Sequence, residues 1–268
     1  MFDCHVHSNF SGDSDMDAET ACFSAIEHSL SGIAFVDHLD YDFPGEEFDD
    51  IIDFEEYLKL LDCLRAKYGS RLEIIKGIEV GIQPHVIEQS ASFVRSHDFD
   101  YVLGSVHIVD GLDPYKNPFY EGKTKHQAYA RYLENIIHML DNFADFDMAG
   151  HLDYIIRYAP YDDRSLVYAD HPDLLDSIFK KLICSGKGFE INTSSYREKG
   201  RKLPIPRFDA AILKRYRELG GELVCIGSDS HTPNYLGYKF GYFREMLLDA
   251  GFKYTARFEG RKPRFDKL

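Results

Sequence analysis

Seven short apolar segments alternate with seven longer amphipathic ones, and this alternation narrows the fold more than any other feature of the chain. The apolar segments are FDCHVH (2–7), GIAFVDH (32–38), LEIIKGIEV (72–80), DYVLGSVH (100–107), DFDMAGH (145–151), GFEINTS (188–194) and ELVCIGSDS (222–230). Each is short and rich in apolar or β-branched residues, as a strand requires. Helical patterns lie between them at 17–30, 53–68, 84–97, 124–143, 172–185, 207–219 and 239–250. FEEYLKLLDCLRAKYG, for example, spaces its apolar residues at i, i+3 and i+4 and stops at Gly69, a C-terminal cap. Repeated strand-then-helix units predict an α/β fold with a parallel sheet and helices outside it. Right-handed crossovers let such a sheet close into a barrel. The alternative is an open doubly wound sheet, whose GxGxxG fingerprint is absent; HSNFSGDSDM follows the first strand instead. The tail, 252–268, is locally basic and its pattern defines no fold.

At 268 residues the chain suits one large barrel with a sizeable core. A net charge of −14 argues against binding nucleic acid or an anionic membrane, both of which need positive surface. It leaves room for bound divalent cations and, through them, for an anionic substrate. The five cysteines (Cys4, Cys22, Cys63, Cys184, Cys225) form no CxxC pair and mostly sit in apolar runs, which predicts reduced structural thiols. No leader-like start and no membrane-length apolar run is visible, so a cytoplasmic location is expected.

The polar residues at the ends of the predicted strands are of one kind. The first strand ends in His5 and His7, with Asp13 just beyond; the second in Asp37 and His38; the third in Glu79; the fourth in His107. The fifth gives His151 and Asp153, the sixth Asn192 with Arg197 in its loop, and the seventh Asp229 and His231. The C-terminal rim is where parallel barrels carry their chemistry. In an extended strand i and i+2 share a face, so His5 and His7 should project together, with Cys4 and Val6 opposite. An HxH alone is a short pattern that arises by chance. Here, however, six of the twelve histidines fall at strand ends, while His28, His85, His97, His126, His138 and His171 fall in helices or at their starts and are expected to be solvated. Neutral imidazoles and bare carboxylates gathered in one barrel mouth are costly without cations, which predicts a multinuclear metal site. Asp37 and Asp153 suit either ligation or the orienting of a ligand imidazole.

Taken in order, HVHS, VDH, GIEVG, GSVH, GHLD and SDSH resemble the PHP (polymerase and histidinol phosphatase) superfamily. With GIEVGIQP, SVHIVDG, GHLDYIIRY and INTSSYR, the set is most similar to its histidinol-phosphate phosphatase branch. The resemblance implies a single PHP-type domain over 1–268, a distorted (β/α)7 barrel with its metal site at the C-terminal rim of the strands. It implies three divalent metal ions, zinc, manganese or iron. His5, His7, Glu79 and Asp229 would hold the first, and Glu79 would bridge to a second completed by His107 and His151. Asp13, His38 and His231 would hold the third; some members carry a histidine where Asp13, a harder ligand, stands here.

The implied activity is a metal-dependent phosphomonoesterase, a histidinol-phosphatase of histidine biosynthesis. It would cleave L-histidinol phosphate to L-histidinol and phosphate by attack of a metal-bridging hydroxide. Glu79, Asp229 and His231 are expected to act in turnover, with the proton donor open among Asp229, His231 and metal-bound water. Arg157 and Arg197 match arginines of the phosphatase branch and should hold the phosphate, with Arg164 and Lys199 as weaker candidates. Asp110, Asp113, Asp153 and Asp162 would give an acidic mouth suited to an amine and an imidazole. The same metal chemistry would serve another small monoester, a phosphotyrosine or a nucleotide, and a non-catalytic metal-binding module is the alternative of a different class. The expected partner is a small anionic phosphate ester, with no nucleic acid and no membrane.

Overall fold

The computed structural model describes residues 1–45, 52–198 and 204–268, and in it the predicted strands lie side by side in parallel. They are β1 (Phe2–Val6), β2 (Gly32–Phe35), β3 (His38–Asp40), β4 (Glu73–Gly81), β5 (Tyr101–Ser105), β6 (Met148–Ala149), β7 (Gly188–Asn192) and β8 (Val224–Gly227). The order is β1-β2-β4-β5-β6-β7-β8, and β3 also pairs with β4. The second predicted strand is therefore two strands: pairing stops at Phe35 and resumes at His38, which lies in register with Glu79. The helices are α1 (Ala18–Glu27), α2 (Phe54–Tyr68), α3 (Ile87–Ser96), α4 (Lys125–Asn142), α5 (Pro172–Cys184), α6 (Ala210–Glu218) and α7 (Phe240–Asp249). Their starts are chemically marked. Asp17, Asp53 and Asp209 accept from first-turn amides, Thr124 and Gln127 form a reciprocal capping box, and Pro172 opens α5.

Side-chain alternation divides the core in two. Ile74, Ile78 and Val80 of β4 join the large cluster beneath the helices, whereas Ile75 joins a smaller one with Phe2, Cys4, Tyr101, Leu103, Met148 and Cys225. Glu79 shares the parity of Ile75 and so projects inside the sheet, above that inner cluster. β1 breaks the alternation through a register shift between Asp3 and Val6. This corrects the expectation that Cys4 and Val6 share a face: Cys4 enters the inner cluster and Val6 the outer one.

The sheet is nearly closed between β1 and β8. The Asp229 amide donates to the His5 carbonyl at 2.8 Å and the His7 amide to the Ser230 carbonyl at 3.0 Å. Lower in the seam a carboxylate replaces the ladder. Asp3 accepts from the amides of Ser228 (2.8 Å) and Gly237 (3.0 Å), and burial raises its pKa to about 6.

The basic tail has a definite structure. β9 (Tyr254–Glu259) and β10 (Lys262–Lys267) form an antiparallel hairpin under the N-terminal ends of the strands. Ala256 and Phe258 complete the inner cluster, with Phe258 stacked on Tyr101. Arg261 pairs with Asp147 at 2.6 Å, Arg257 with Glu73, and the Gly260 amide with Asp100. Cys4, Cys22 and Cys225 are buried, as structural thiols should be, while Cys63 and Cys184 are exposed. Among the helical histidines His171 departs from expectation: it is buried, its ring packed on His126 at 4.4 Å. No helix among the described residues is long and apolar enough to cross a membrane.

Candidate metal centre

The strand ends bring His5, His7, His38, Glu79, His107, His151, Asp229 and His231 together, with Asp13 at the outer edge. Hydrogen bonds assign the imidazole tautomers at the centre. Ser11 donates its hydroxyl hydrogen to Asp37 at 2.6 Å, so its oxygen accepts from His7 Nδ1 at 3.0 Å. His5 Nδ1 donates to Glu190 at 2.8 Å. Both Nε2 atoms therefore present lone pairs, yet they lie 2.9 Å apart. Glu79 Oε2 (3.2 and 3.5 Å) and Asp229 Oδ1 (3.6 and 3.4 Å) converge on the same two nitrogens. Four acceptors facing one another repel unless a cation, proton or metal ion, lies among them. The donor set thus fits a divalent metal.

The pattern repeats next to it. His107 Nδ1 donates to Asp40 at 2.8 Å, which turns His107 Nε2 toward His151 Nε2 (3.2 Å) and Glu79 Oε1 (3.3 Å). His151 Nε2 is 2.9 Å from the same Oε1, so the two oxygens of Glu79 serve different groups. At the outer edge His231 Nδ1 donates to the Asp229 carbonyl and its Nε2 meets Asp13 Oδ2 at 3.0 Å. His38 stands between: its Nδ1 is 3.3 Å from Glu79 and its Nε2 3.8 Å from Asp13. Three overlapping donor groups result: His5, His7 and Asp229; His38, Glu79 and His107; His7, His38 and His231.

Burial disfavours charge throughout, and the mutual fields decide each direction. Burial, reinforced by His231 and His38, pushes His7 down to about 3. Burial is outweighed at His38, which Asp13, Asp40 and Glu79 raise to about 9. It is likewise outweighed at His5, by Glu190 and Glu79, and at His107, by Asp40 and Glu79; both are raised. Against burial, His5 and His107 hold Glu79 well below the carboxylate range, and Arg157 and His5 do the same for Asp229. In the metal-free protein, protons take the place of cations among these groups.

The rim opens into a cavity of about 380 Å³. Glu79, His107, His151 and Asp229, its most buried lining residues, form its floor, and Arg157, Arg197, Tyr115, Tyr154 and Tyr158 line its sides, with Tyr154 and Tyr158 on the same turn as Arg157. Arg157 is buried, 2.6 Å from Asp229 Oδ2, and stacks over Tyr154. Arg197 donates to the carbonyls of Ser228 and Asp229, both at 2.8 Å, and lies over the Tyr235 ring. Those bonds brace Asp229 in a left-handed backbone conformation (φ 53°) uncommon for a residue with a side chain.

Other expected residues lie elsewhere. Arg164 is buried in main-chain bonds to Arg157 and Pro204, because its guanidinium holds two loops together, and Lys199 lies outside the described residues. Asp113 lines the cavity, but Asp110 pairs with Arg131 at the surface and Asp162 is not among the lining residues. Asp153 is held by the Tyr196 hydroxyl and orients no imidazole; burial raises its pKa to about 6. Asp37 does orient one, through Ser11. Sequence reasoning missed Asp40, Ser11 and Glu190. A signal existed for two of them: Asp40 follows His38, and Glu190 precedes Asn192, at the i+2 spacing of one strand face.

A family model described as the PHP domain matches residues 3–194. The chain is 32% identical to the histidinol-phosphatase of Lactococcus lactis, over 97% of this chain and 95% of that protein. It is 34% identical to a probable histidinol-phosphatase of Clostridium acetobutylicum, over 94% of this chain and 95% of that one. The crystal structure of the Lactococcus lactis histidinol phosphate phosphatase, complexed with zinc, L-histidinol and phosphate, superposes with a TM-score of 0.91, covering 98% of each chain at 32% identity. A putative histidinol phosphatase from Listeria monocytogenes, 19% identical, shares the fold with a TM-score of 0.75, covering 91% of this chain and 100% of that one.

Proposed function

The chain belongs to the PHP domain family, and from that premise we propose that it is a metal-dependent phosphomonoesterase that hydrolyses L-histidinol phosphate to L-histidinol and phosphate. One observation carries this reading: the cavity gathers imidazoles and carboxylates of metal-ligand type on its floor and two guanidinium groups at its sides, in a chain alike over nearly its whole length to an enzyme complexed with zinc, histidinol and phosphate. His5, His7, Glu79 and Asp229 would hold a first divalent ion, Glu79 with His107 and His151 a second, and Asp13, His38 and His231 a third. Zinc is the metal that the Lactococcus lactis structure supports. When bound, such ions neutralise phosphoryl charge and make water nucleophilic near neutral pH.

The chain's own residues do the rest. Arg157 and Arg197 hold the phosphate dianion at the wall, where burial strengthens their attraction. Asp229, kept ionised against burial by Arg157 and His5, acts as a ligand and is a poor proton donor to the departing alkoxide. That leaves His231, at the exposed edge, or water for the proton transfer. Tyr115, Tyr154 and Tyr158 line the same cavity beside Arg157 and offer apolar ring surface to a flat leaving group.

Steady-state kinetics of the metal-loaded protein on histidinol phosphate, other small monoesters, a phosphotyrosyl peptide and a dinucleotide test the reading. The expected preference for histidinol phosphate in kcat/KM is about 100-fold or more. Equal rates across the monoesters would remove the substrate assignment, and no hydrolysis at all would remove the enzyme assignment.

A further inference from the structure

Behind the rim one carboxylate touches none of the converging donor atoms and yet governs them. Glu190, inside β7, is completely buried at its side chain. Its Oε1 accepts from His5 Nδ1 at 2.8 Å; its Oε2 accepts from the His151 amide at 3.1 Å and from Asn192 Nδ2 at 3.2 Å. Asn192 donates in turn to Asp229 Oδ2 at 3.2 Å. The chain makes room for this group. A Cβ at Gly227 of β8 would lie 1.9 Å from Glu190 Oε1 and 2.5 Å from His5 Cβ. A side chain at 227 therefore parts the Glu190 carboxylate from the imidazole, by pushing on the carboxylate and on the His5 stem.

We propose that Glu190 is a positioning residue for metal uptake: it fixes His5 as the Nδ1–H tautomer and ties β1, β6 and β7 into one donor frame. The proposal rests on the reading of the rim as a divalent-metal site. Only an anion satisfies all three donors around it. A glutamine offers one oxygen and one NH2 group. With the NH2 toward His151 and Asn192, donor faces donor. With the NH2 toward His5, His5 must accept at Nδ1 and carry its proton on Nε2, where it faces His7, Glu79 and Asp229 in place of a cation. Loss of such an outer hydrogen bond weakens metal binding by about 10–100-fold in comparable sites.

The test compares wild type, Glu190→Gln and Gly227→Ala by zinc titration against a chromophoric chelator, with circular dichroism of the metal-free forms. Both variants are expected to keep the fold, to lose about 10–100-fold in zinc affinity, and to recover kcat when zinc is raised to saturation. Long-range proton–nitrogen NMR of zinc-loaded wild type needs no variant and is expected to find His5 protonated at Nδ1 and ligating through Nε2. Wild-type zinc affinity in both variants, or a His5 that ligates through Nδ1, overturns the proposal while leaving the metal site intact. A wild-type protein that takes up no divalent metal overturns the reading of the rim itself.

Discussion

The two ends of the barrel are both crowded with charge and solve the problem in opposite ways. At the N-terminal end carboxylates meet guanidinium, ammonium or amide groups: Glu73 with Arg257, Asp100 with Arg65 and Gly260, Asp147 with Arg261, Asp62 with Lys76. At the C-terminal rim the carboxylates meet imidazoles whose lone pairs point at one another. The first end is complete as folded. The second is complete only when something positive enters, and buried acids and bases of opposite tendency are a mark of function more than of stability. Among the described residues, Arg157 and Arg197 are the permanent cations that line the site, and they stand at its sides, not on its floor.

Removing metal should divide the two ends most sharply. Prolonged chelation is expected to abolish phosphatase activity and to lower the melting temperature, while leaving the hairpin end folded; zinc or manganese should restore both properties, as followed by kinetics and calorimetry. Next in size is Glu79→Gln, which removes the one carboxylate shared by the two inner donor groups. Metal content should fall and kcat/KM drop by about 1000-fold or more, about 4 kcal/mol. Arg157→Ala should lower kcat/KM by about 100-fold with a large rise in KM, because it removes a phosphate partner and also leaves Asp229 Oδ2 without its ion pair. Similar losses of kcat and none in KM would assign Arg157 to bracing Asp229 alone.

A pH dependence follows with a definite sign. In the metal-free protein His38 is raised to about 9 by Asp13, Asp40 and Glu79 against burial, and His5 and His107 are raised as well. These imidazoles hold protons at neutral pH that a metal must expel. Zinc affinity should therefore increase from pH 6 to pH 8 with net proton release, measurable by calorimetry in buffers of different ionisation enthalpy. The smallest effect belongs to the other end. Arg261→Ala strips Asp147 of its guanidinium and should cost about 1–3 kcal/mol of stability, read as a lower melting temperature, with kcat/KM unchanged. Loss of activity there would mean that the ends are coupled.

Particular residues mark how far the sequence could be read. Strand positions were legible because strands buried on both faces read as continuous apolar runs, and GFEIN, VCIG and YVLGS all lie where expected. The donor groups were legible because they follow those runs directly. Asp40 and Glu190 were not singled out because their i+2 spacing from His38 and Asn192 marks a shared strand face but not the distant ring each one holds: Glu190 is 185 residues from His5, and Asp40 is 67 from His107. The hairpin escaped notice because only Ala256 and Phe258 of its strand residues are buried, too few to set an apolar period. His171 was misjudged because its burial depends on α4 packing beside it.

By itself, the sequence determined the repeated strand-then-helix order and the delivery of imidazoles and acids to strand ends, because both are local: periodicity and position within a segment suffice. Only the tertiary structure decided which nitrogen of each imidazole faces the centre, that β1 changes parity at its register shift, and that Gly227 leaves space for Glu190. Those choices arise from contacts between strands far apart in the chain, where a hydrogen bond on one side of a ring sets the lone pair on the other.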